Sequence, residues 1–373
     1  MASRGRRKPV GVVEMAHDLG VSTATISRAL NGSPSVRREL ADRIRAHAEA
    51  RGYVANRLAR ALSASTSRAF VGFVIPYVDT LAYSAVAAEC ARLLSAAGTQ
   101  MILAITENDA EREYEQLRDL VGTRIAGLVI SPSTHLLDET RHLLAELPVV
   151  ELHRVSGIDV PSVLSDDEQA LADSIMHLAA LGHTEIAYLG TPRELSNGAI
   201  RLRGIRRGVA QAGLDPRRIT MRLVEPTQDN GRAATCELLA GGLPFTALVV
   251  GSGSLSVGAA DAVRRSGRRL PDDLSLVVYG DPSWFVLADP PLTMIKVQYA
   301  GLAGIAARLL LCALDAREVG TRPPAAGPHF VPAELSVGGS TGPPPGNMTV
   351  TCPRPRLPPP QCRSRPTRPR SPQ

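Results

Sequence analysis

The stretch VSTATISRAL, residues 21–30, has the spacing of a short helix with Val21, Ile26 and Leu30 on its apolar side, yet it carries four hydroxyl side chains and one arginine. Ser and Thr gain little inside a helix, because their hydroxyls compete for backbone partners and a β-branch restricts χ1. Ser22 suits the N-cap position, which leaves Thr23, Ala24, Thr25, Ser27 and Arg28 on the outer side. Short hydroxyls with one Arg form a face narrow enough for a DNA major groove and equipped for phosphates and base edges. An ordinary solvated helix face is the alternative reading of these ten residues.

The flanking sequence bears on that choice. Upstream, VVEMAHDLG places Val12, Met15, Ala16 and Leu19 at helical spacing and ends in Gly20, which tolerates the positive φ of a tight turn. Downstream, NGSPS breaks the second helix, and VRRELADRIRAHAEARGY restarts the pattern with Leu40, Ile44, His47 and Ala48 on one side. Three short helices sharing an apolar side make a minimal bundle with a helix-turn-helix. Residues 1–63 hold twelve Lys or Arg against five Asp or Glu, a net +7 that exceeds the +6 of the whole chain. Charge concentrated in this way is the footprint of a phosphate-binding module.

The run GVSTATISRALN, the GY after the third helix and NRLARAL, in this order and spacing, resemble the DNA-binding headpiece of the lactose-repressor/galactose-repressor family of bacterial transcription regulators. The resemblance implies DNA contacts from Ser22, Thr23, Ala24, Thr25, Ser27, Arg28 and Asn31, with Thr23 and Ala24 helping to choose the operator. It adds Tyr53 and, from the segment that follows, Asn56, Ala59 and Leu62. NRLARAL is too short to be a stable helix alone, so it is expected to order only when docked. In the family it is a hinge helix whose leucine, here Leu62, wedges into the minor groove; a plain linker with Leu58 and Leu62 packed on the body is the alternative. Ala55 departs from the family's usual Pro at the hinge entry.

Beyond residue 63 the chain changes character. From Phe70 short apolar runs (FVGFVI, MILAI, GLVI, VVEL, IAYLG, ALVVG, LSLVVYG) alternate with amphipathic helical patterns at 82–97, 110–121, 167–181, 199–212 and 255–265. Nearly continuous apolar strands followed by helices imply parallel sheets covered on both faces, and this many strands suits two lobes. LGHTEIAYLG, RLRGIRRGVAQAGL, LPDDLSLVVYGD and PPLTMIKV resemble the family's core. The implied fold is an all-α helix-turn-helix headpiece plus an α/β two-lobed periplasmic-binding-protein-like core with parallel sheets and three crossovers. The expected division is 1–55 headpiece, 56–63 hinge helix, 64–69 linker and 70–341 core. Within the core, one lobe takes about 70–165 and 300–321, the other about 166–297 and 332–337.

Ligands of such folds bind in the interlobe crevice at the carboxyl ends of the strands. Candidates there are Tyr83, Ser131, His153 and Arg201, joined by Ser252, Asp281 and Trp284; Arg154 and Asp166 also fall at strand ends. Arg201 matches the family's effector-binding arginine and Tyr83 its aromatic position. Other positions depart: His153 stands where an Asp is common, Ser252-Gly253 replaces Asn-Asp, Gly280-Asp281 replaces paired acids, and Pro226 takes a possible aromatic position. The expected effector is therefore a small molecule, sugar-like or another metabolite.

Enzyme classes find no support. GSGSLS at 251–256 lacks the Lys-Ser/Thr of a phosphate loop, the eight His show no metal spacing, and the five Cys form neither a CxxC nor an even framework. No catalytic residue, metal or cofactor is expected. The basic start lacks the apolar core of a signal peptide, and no apolar run is read as spanning a bilayer, so the expectation is a cytoplasmic protein. Residues 342–373 hold six Arg and no acid among many Pro, a composition expected to stay disordered, while 64–341 carries a net −7. Expected partners are a double-stranded palindromic DNA operator, a small-molecule effector and a second copy of the chain. The helices at 82–97 and 255–265 are candidate dimer surfaces. The tail lacks the leucine heptads of a tetramer bundle. A small-molecule-binding protein with an inactive headpiece is the alternative function.

Overall fold

The computed structural model describes residues 11–30, 33–51, 53, 68–242, 244–280, 283–321, 323 and 325–346. Asn31, the hinge residues Asn56, Ala59 and Leu62, Asp281 and the chain beyond 346 lie outside the described residues, as does the side chain of Trp284.

The N-terminal unit is α1 (Val12–Leu19), α2 (Thr23–Leu30) and α3 (Arg38–Ala50). Gly20 closes α1 at φ 66°, the left-handed conformation that costs glycine least, and Val21 N–H donates to the Ala16 carbonyl at 3.0 Å. Ser22 Oγ then accepts from Thr25 N–H at 3.1 Å, so the hydroxyl that opens α2 caps it. Met15, Ile26, Ala29 and Ile44 are fully buried in one cluster, and Val21, Leu30, Leu40 and Tyr53 pack around its edge. The centre of α2 thus turns on Ile26 and Ala29, with Val21 and Leu30 at the margin. Asp18 on α1 meets Arg51 at 2.9 Å and His47 at 3.2 Å across the far side of the unit.

The remainder is a mostly parallel α/β body. In chain order it contains β1 (Phe70–Ile75), α4 (Leu81–Ala96), β2 (Gln100–Ile105), α5 (Ala110–Gly122), β3 (Leu128–Ile130), α6 (Asp138–Ala145), β4 (Val149–Leu152) and β5 (Pro161–Asp166). There follow α7 (Asp167–Ala180), β6 (Ile186–Gly190), α8 (Ser196–Gln211), β7 (Ile219–Leu223), α9 (Gln228–Ala240), β8 (Ala247–Val250) and α10 (Gly253–Ser266). The last elements among the described residues are β9 (Ser275–Tyr279), β10 (Thr293–Val297), α11 (Tyr299–Val319) and β11 (Gly327–Ser336). The strand order β2-β1-β3-β4-β5-β11-β10-β9-β8-β6-β7 separates into two parallel groups joined through β11.

That last strand makes the join by changing partners along its length. Gly327–Pro332 runs parallel to β5, and Ala333–Ser336 runs antiparallel to β10. It begins five residues before the expected start at 332. The chain passes between the groups at three places: from β5 into α7, from β10 into α11, and within β11.

Two further expectations are corrected. α11 is long and apolar enough to cross a membrane by length and composition, with a mean hydropathy of 1.5, so the chain does contain such a run. Leu302, Ala306, Ala307 and Leu310 are buried, and the helix packs on α4 and on β3, β4 and β5, which explains its apolarity as that of a core helix. Gly342, where the disordered tail was expected to begin, is held in place. Its N–H donates to Ser275 Oγ at 3.0 Å and its carbonyl accepts from His183 Nε2 at 2.9 Å, because both buried side chains need partners.

Candidate DNA-reading helix and interlobe cleft

On α2, Ser22, Thr23, Ala24, Ser27 and Arg28 are exposed, and Thr25 is half-buried with its hydroxyl 2.9 Å from that of Ser22. The polar side chains therefore lie on the side of the helix away from Ile26 and Ala29. Tyr53 is half-buried, its N–H bonded to the Ala48 carbonyl at 2.8 Å and its ring against the bundle core.

In the body, a cleft of about 600 Å³ opens at the carboxyl ends of strands from both groups. Tyr77, Thr80 and Tyr83 enter from the β1–α4 side, and His153 and Arg154 from the end of β4. From the other group come Thr191, Asn197 and Arg201, the first turns of α9 and α10, and Tyr279.

Four of the expected effector residues line this cleft: Tyr83, His153, Arg201 and Ser252. Ser131 does not; it is fully buried, and its hydroxyl lies 2.9 Å from Tyr83 Oη, fixing the ring from behind. Tyr83 in turn meets the His153 ring edge-on at 5.3 Å. His153 adopts φ 61°, unusual for a residue with a Cβ, and its Nε2–H donates to the Ala82 carbonyl at 3.1 Å.

Burial pushes the His153 imidazole down to about 4 from 6.5. A histidine depressed on folding is neutral in the native state, so its contribution is present above its unfolded pKa and lost as pH falls through the folded one. The urea midpoint of the core is expected to fall between pH 6.5 and about 4, with a smaller fall in His153→Asn, since Asn tolerates the left-handed backbone. Parallel curves for the two proteins would refute a neutral His153.

Arg201, expected to face ligand, is 8% exposed and already engaged. Its Nε donates to Asp167 Oδ2 at 2.7 Å, and its NH2 group to Tyr279 Oη at 3.0 Å, while the Tyr279 hydroxyl donates to Asp167 Oδ1 at 2.7 Å. The guanidinium also stacks over the Tyr279 ring at 4.4 Å. Burial opposes its charge, but Tyr279 and Asp167 outweigh that and hold its pKa above the ordinary arginine value. Burial likewise raises the Tyr279 phenol well above its usual range.

The strand-end reading picked Asp166, and the residue that binds Arg201 is its neighbour Asp167. The paired acids in SDDEQ were the available signal. Sequence reasoning also missed the contacts that span the two groups. Asn108 Nδ2 donates to Glu225 Oε1 at 3.0 Å, and Val155 N–H donates to Ser196 Oγ at 2.9 Å. No local pattern marks either pair.

A family model for lacI-family bacterial regulatory proteins matches residues 13–56, and a periplasmic binding protein-like domain matches residues 175–341. The HTH-type transcriptional regulator reg1 of Streptomyces lividans is 30% identical over 352 residues, covering 90% of this chain and 97% of that protein. The HTH-type transcriptional regulator MalR of Streptomyces coelicolor is 29% identical over 350 residues, with the same coverage of each chain. Among solved structures, a lac repressor dimer bound to operator and an anti-inducer matches with a TM-score of 0.78 and 25% identity, covering 90% of this chain and all of that one. Headpiece, two-group body and nearly end-to-end similarity agree, and the chain belongs to the lacI family of bacterial regulatory proteins.

Proposed function

We propose that this chain is a cytoplasmic repressor that binds a palindromic DNA operator as a homodimer and releases or tightens it when a small molecule enters the interlobe cleft. The observation that carries the reading is α2, with an apolar side locked into the bundle and Ser22, Thr23, Ala24, Ser27 and Arg28 exposed on the other. One such helix reads few base pairs; two related by a two-fold axis read a palindrome and gain through effective concentration. α4 and α10 are the proposed dimer surfaces. Ligand in the cleft would act on the contacts between the strand groups, a coupling typically on the order of 1–3 kcal/mol.

The test is a gel shift with the full chain against fragments enriched from random DNA at moderate salt. Preference for one palindrome by about a thousandfold or more over bulk DNA is expected. Absence of any preference would remove the regulator reading in favour of a small-molecule-binding protein with an inactive headpiece.

A further inference from the structure

We infer that the cleft takes a small hydroxylated anion, with its carboxylate or phosphate seated at Arg154 and its hydroxyls at Thr191 and Asn197. The inference rests on the reading of the cleft as an effector site and narrows the class of molecule it accepts.

The two guanidiniums that line the cleft differ in how their charge is met. Arg201 is neutralised by Asp167. Arg154, only 3% exposed, gives one NH1 bond to the Asn108 side-chain carbonyl at 2.7 Å and a longer one to the Pro132 carbonyl at 3.4 Å. Both acceptors are neutral, and its Nε is buried with no partner. No carboxylate contacts it among the described residues. Glu113 is within electrostatic reach, but its oxygens accept from the Ser133 N–H at 2.7 Å and hydroxyl at 2.9 Å. Glu225 is linked to Arg154 only through the Asn108 amide. An arginine does not escape burial by losing its proton, so an acceptor of opposite charge is the missing partner.

Three other polar atoms of the cleft are also buried and unpartnered: Thr80 Oγ1, Thr191 Oγ1 and Asn197 Oδ1. Thr191 is 1% exposed. Native interiors leave few such atoms unsatisfied, and all three belong to residues that line the same cleft. Asn197 Oδ1 only accepts, so the ligand must bring a hydroxyl or N–H to it. Arg154 belongs to the β4 side and Thr191 and Asn197 to the β6 and α8 side, so one molecule satisfying all three bridges the two strand groups. It would sit beside the Val155–Ser196 bond that already links them.

The surrounding field favours an anion. The N-terminal residues of α4, α9 and α10 line the cleft, and helix N-termini carry partial positive charge. Asp79, which is exposed, is the one carboxylate among the described lining residues.

Thermal shift and titration calorimetry on the full chain with matched pairs test this: glucose against glucose 6-phosphate and gluconate, and ribose against ribose 5-phosphate, at constant ionic strength. At least one anion is expected to raise Tm by roughly 5 °C near saturation, with its neutral parent inert. Gluconate against glucose 6-phosphate separates carboxylate from phosphate. Arg154→Gln is expected to weaken the active anion at least about 10-fold, the loss of one charge-assisted hydrogen bond, and Arg154→Lys to recover part of it. Thr191→Val, which removes an atom that has no partner, serves if Arg154→Gln fails to fold, and is expected to weaken the same anion. Stabilisation by the neutral sugars equal to that of their anions would overturn the inference while leaving an effector site in place. Stabilisation by neither would overturn it as well, and the operator gel shift then judges the regulator reading independently.

Discussion

Asp167→Ala is expected to lower the stability of the core by about 3–5 kcal/mol, read from urea denaturation at neutral pH. The carboxylate is 2% exposed and accepts from both Arg201 Nε and the Tyr279 hydroxyl. Its removal leaves a buried guanidinium and phenol facing each other at the cleft wall, with Arg201 8% and Tyr279 4% exposed. The cost is chiefly that of a stranded charge, larger than the net worth of the pair, because desolvation of two ions offsets much of their attraction. Replacing both partners with apolar residues, as Asp167→Leu with Arg201→Met, is therefore expected to cost much less than the two single losses summed. A loss below about 1 kcal/mol for Asp167→Ala would mean the triad is open to water in solution. The arrangement also changes what Arg201 can be asked to show: Arg201→Ala strands Asp167, so lost ligand response in that variant would not by itself identify a ligand contact.

The body was legible where burial is two-sided. FVGFVI, GLVI, IAYLG and ALVVG are continuous apolar runs, VVEL is one broken only by Glu151, and each is a strand buried along most or all of its length. β5 and β7 were not read, for opposite reasons. PSVLSD places two serines in the sheet interior, with Ser162 3% and Ser165 8% exposed, so polarity hides its burial. ITMRL lies at the sheet edge and leaves Arg222 exposed, so no apolar run marks it. In the cleft, position at a strand end was legible and side-chain direction was not. Ser131 and Tyr83 are 48 residues apart, and only the fold shows that the serine hydroxyl is spent on the tyrosine. Asp166 and Asp167 pose the same difficulty one residue apart, since the chain turns from β5 into α7 between them. Arg154 was legible as a strand-end group after His153; that its charge lacks a partner follows from packing, which no local pattern encodes.

The headpiece permits the sharpest separation of recognition from stability. Arg28→Ala is expected to weaken operator binding by about 2–6 kcal/mol per dimer, roughly 30-fold to 10⁴-fold, since each of two headpieces loses one contact worth about 1–3 kcal/mol. Its effect on stability is expected to stay within about 0.5 kcal/mol. The side chain is exposed and forms no ion pair among the described residues, whereas the bundle rests on Met15, Ile26 and Ile44. A comparison on the other side of the unit gives the control: Arg51 is tied to Asp18 and Glu14, so Arg51→Ala removes a surface ion pair worth about 0–1 kcal/mol and no base contact. Salt dependence then assigns the chemistry. If Arg28 meets a guanine, the loss is confined to one base position in each half-site. If it meets a phosphate, the loss is uniform across sequences and the salt slope falls by about one for each contact removed. Equal losses of affinity and stability in Arg28→Ala would make the arginine a structural residue and leave Thr23 and Ala24 as the remaining candidates for reading sequence.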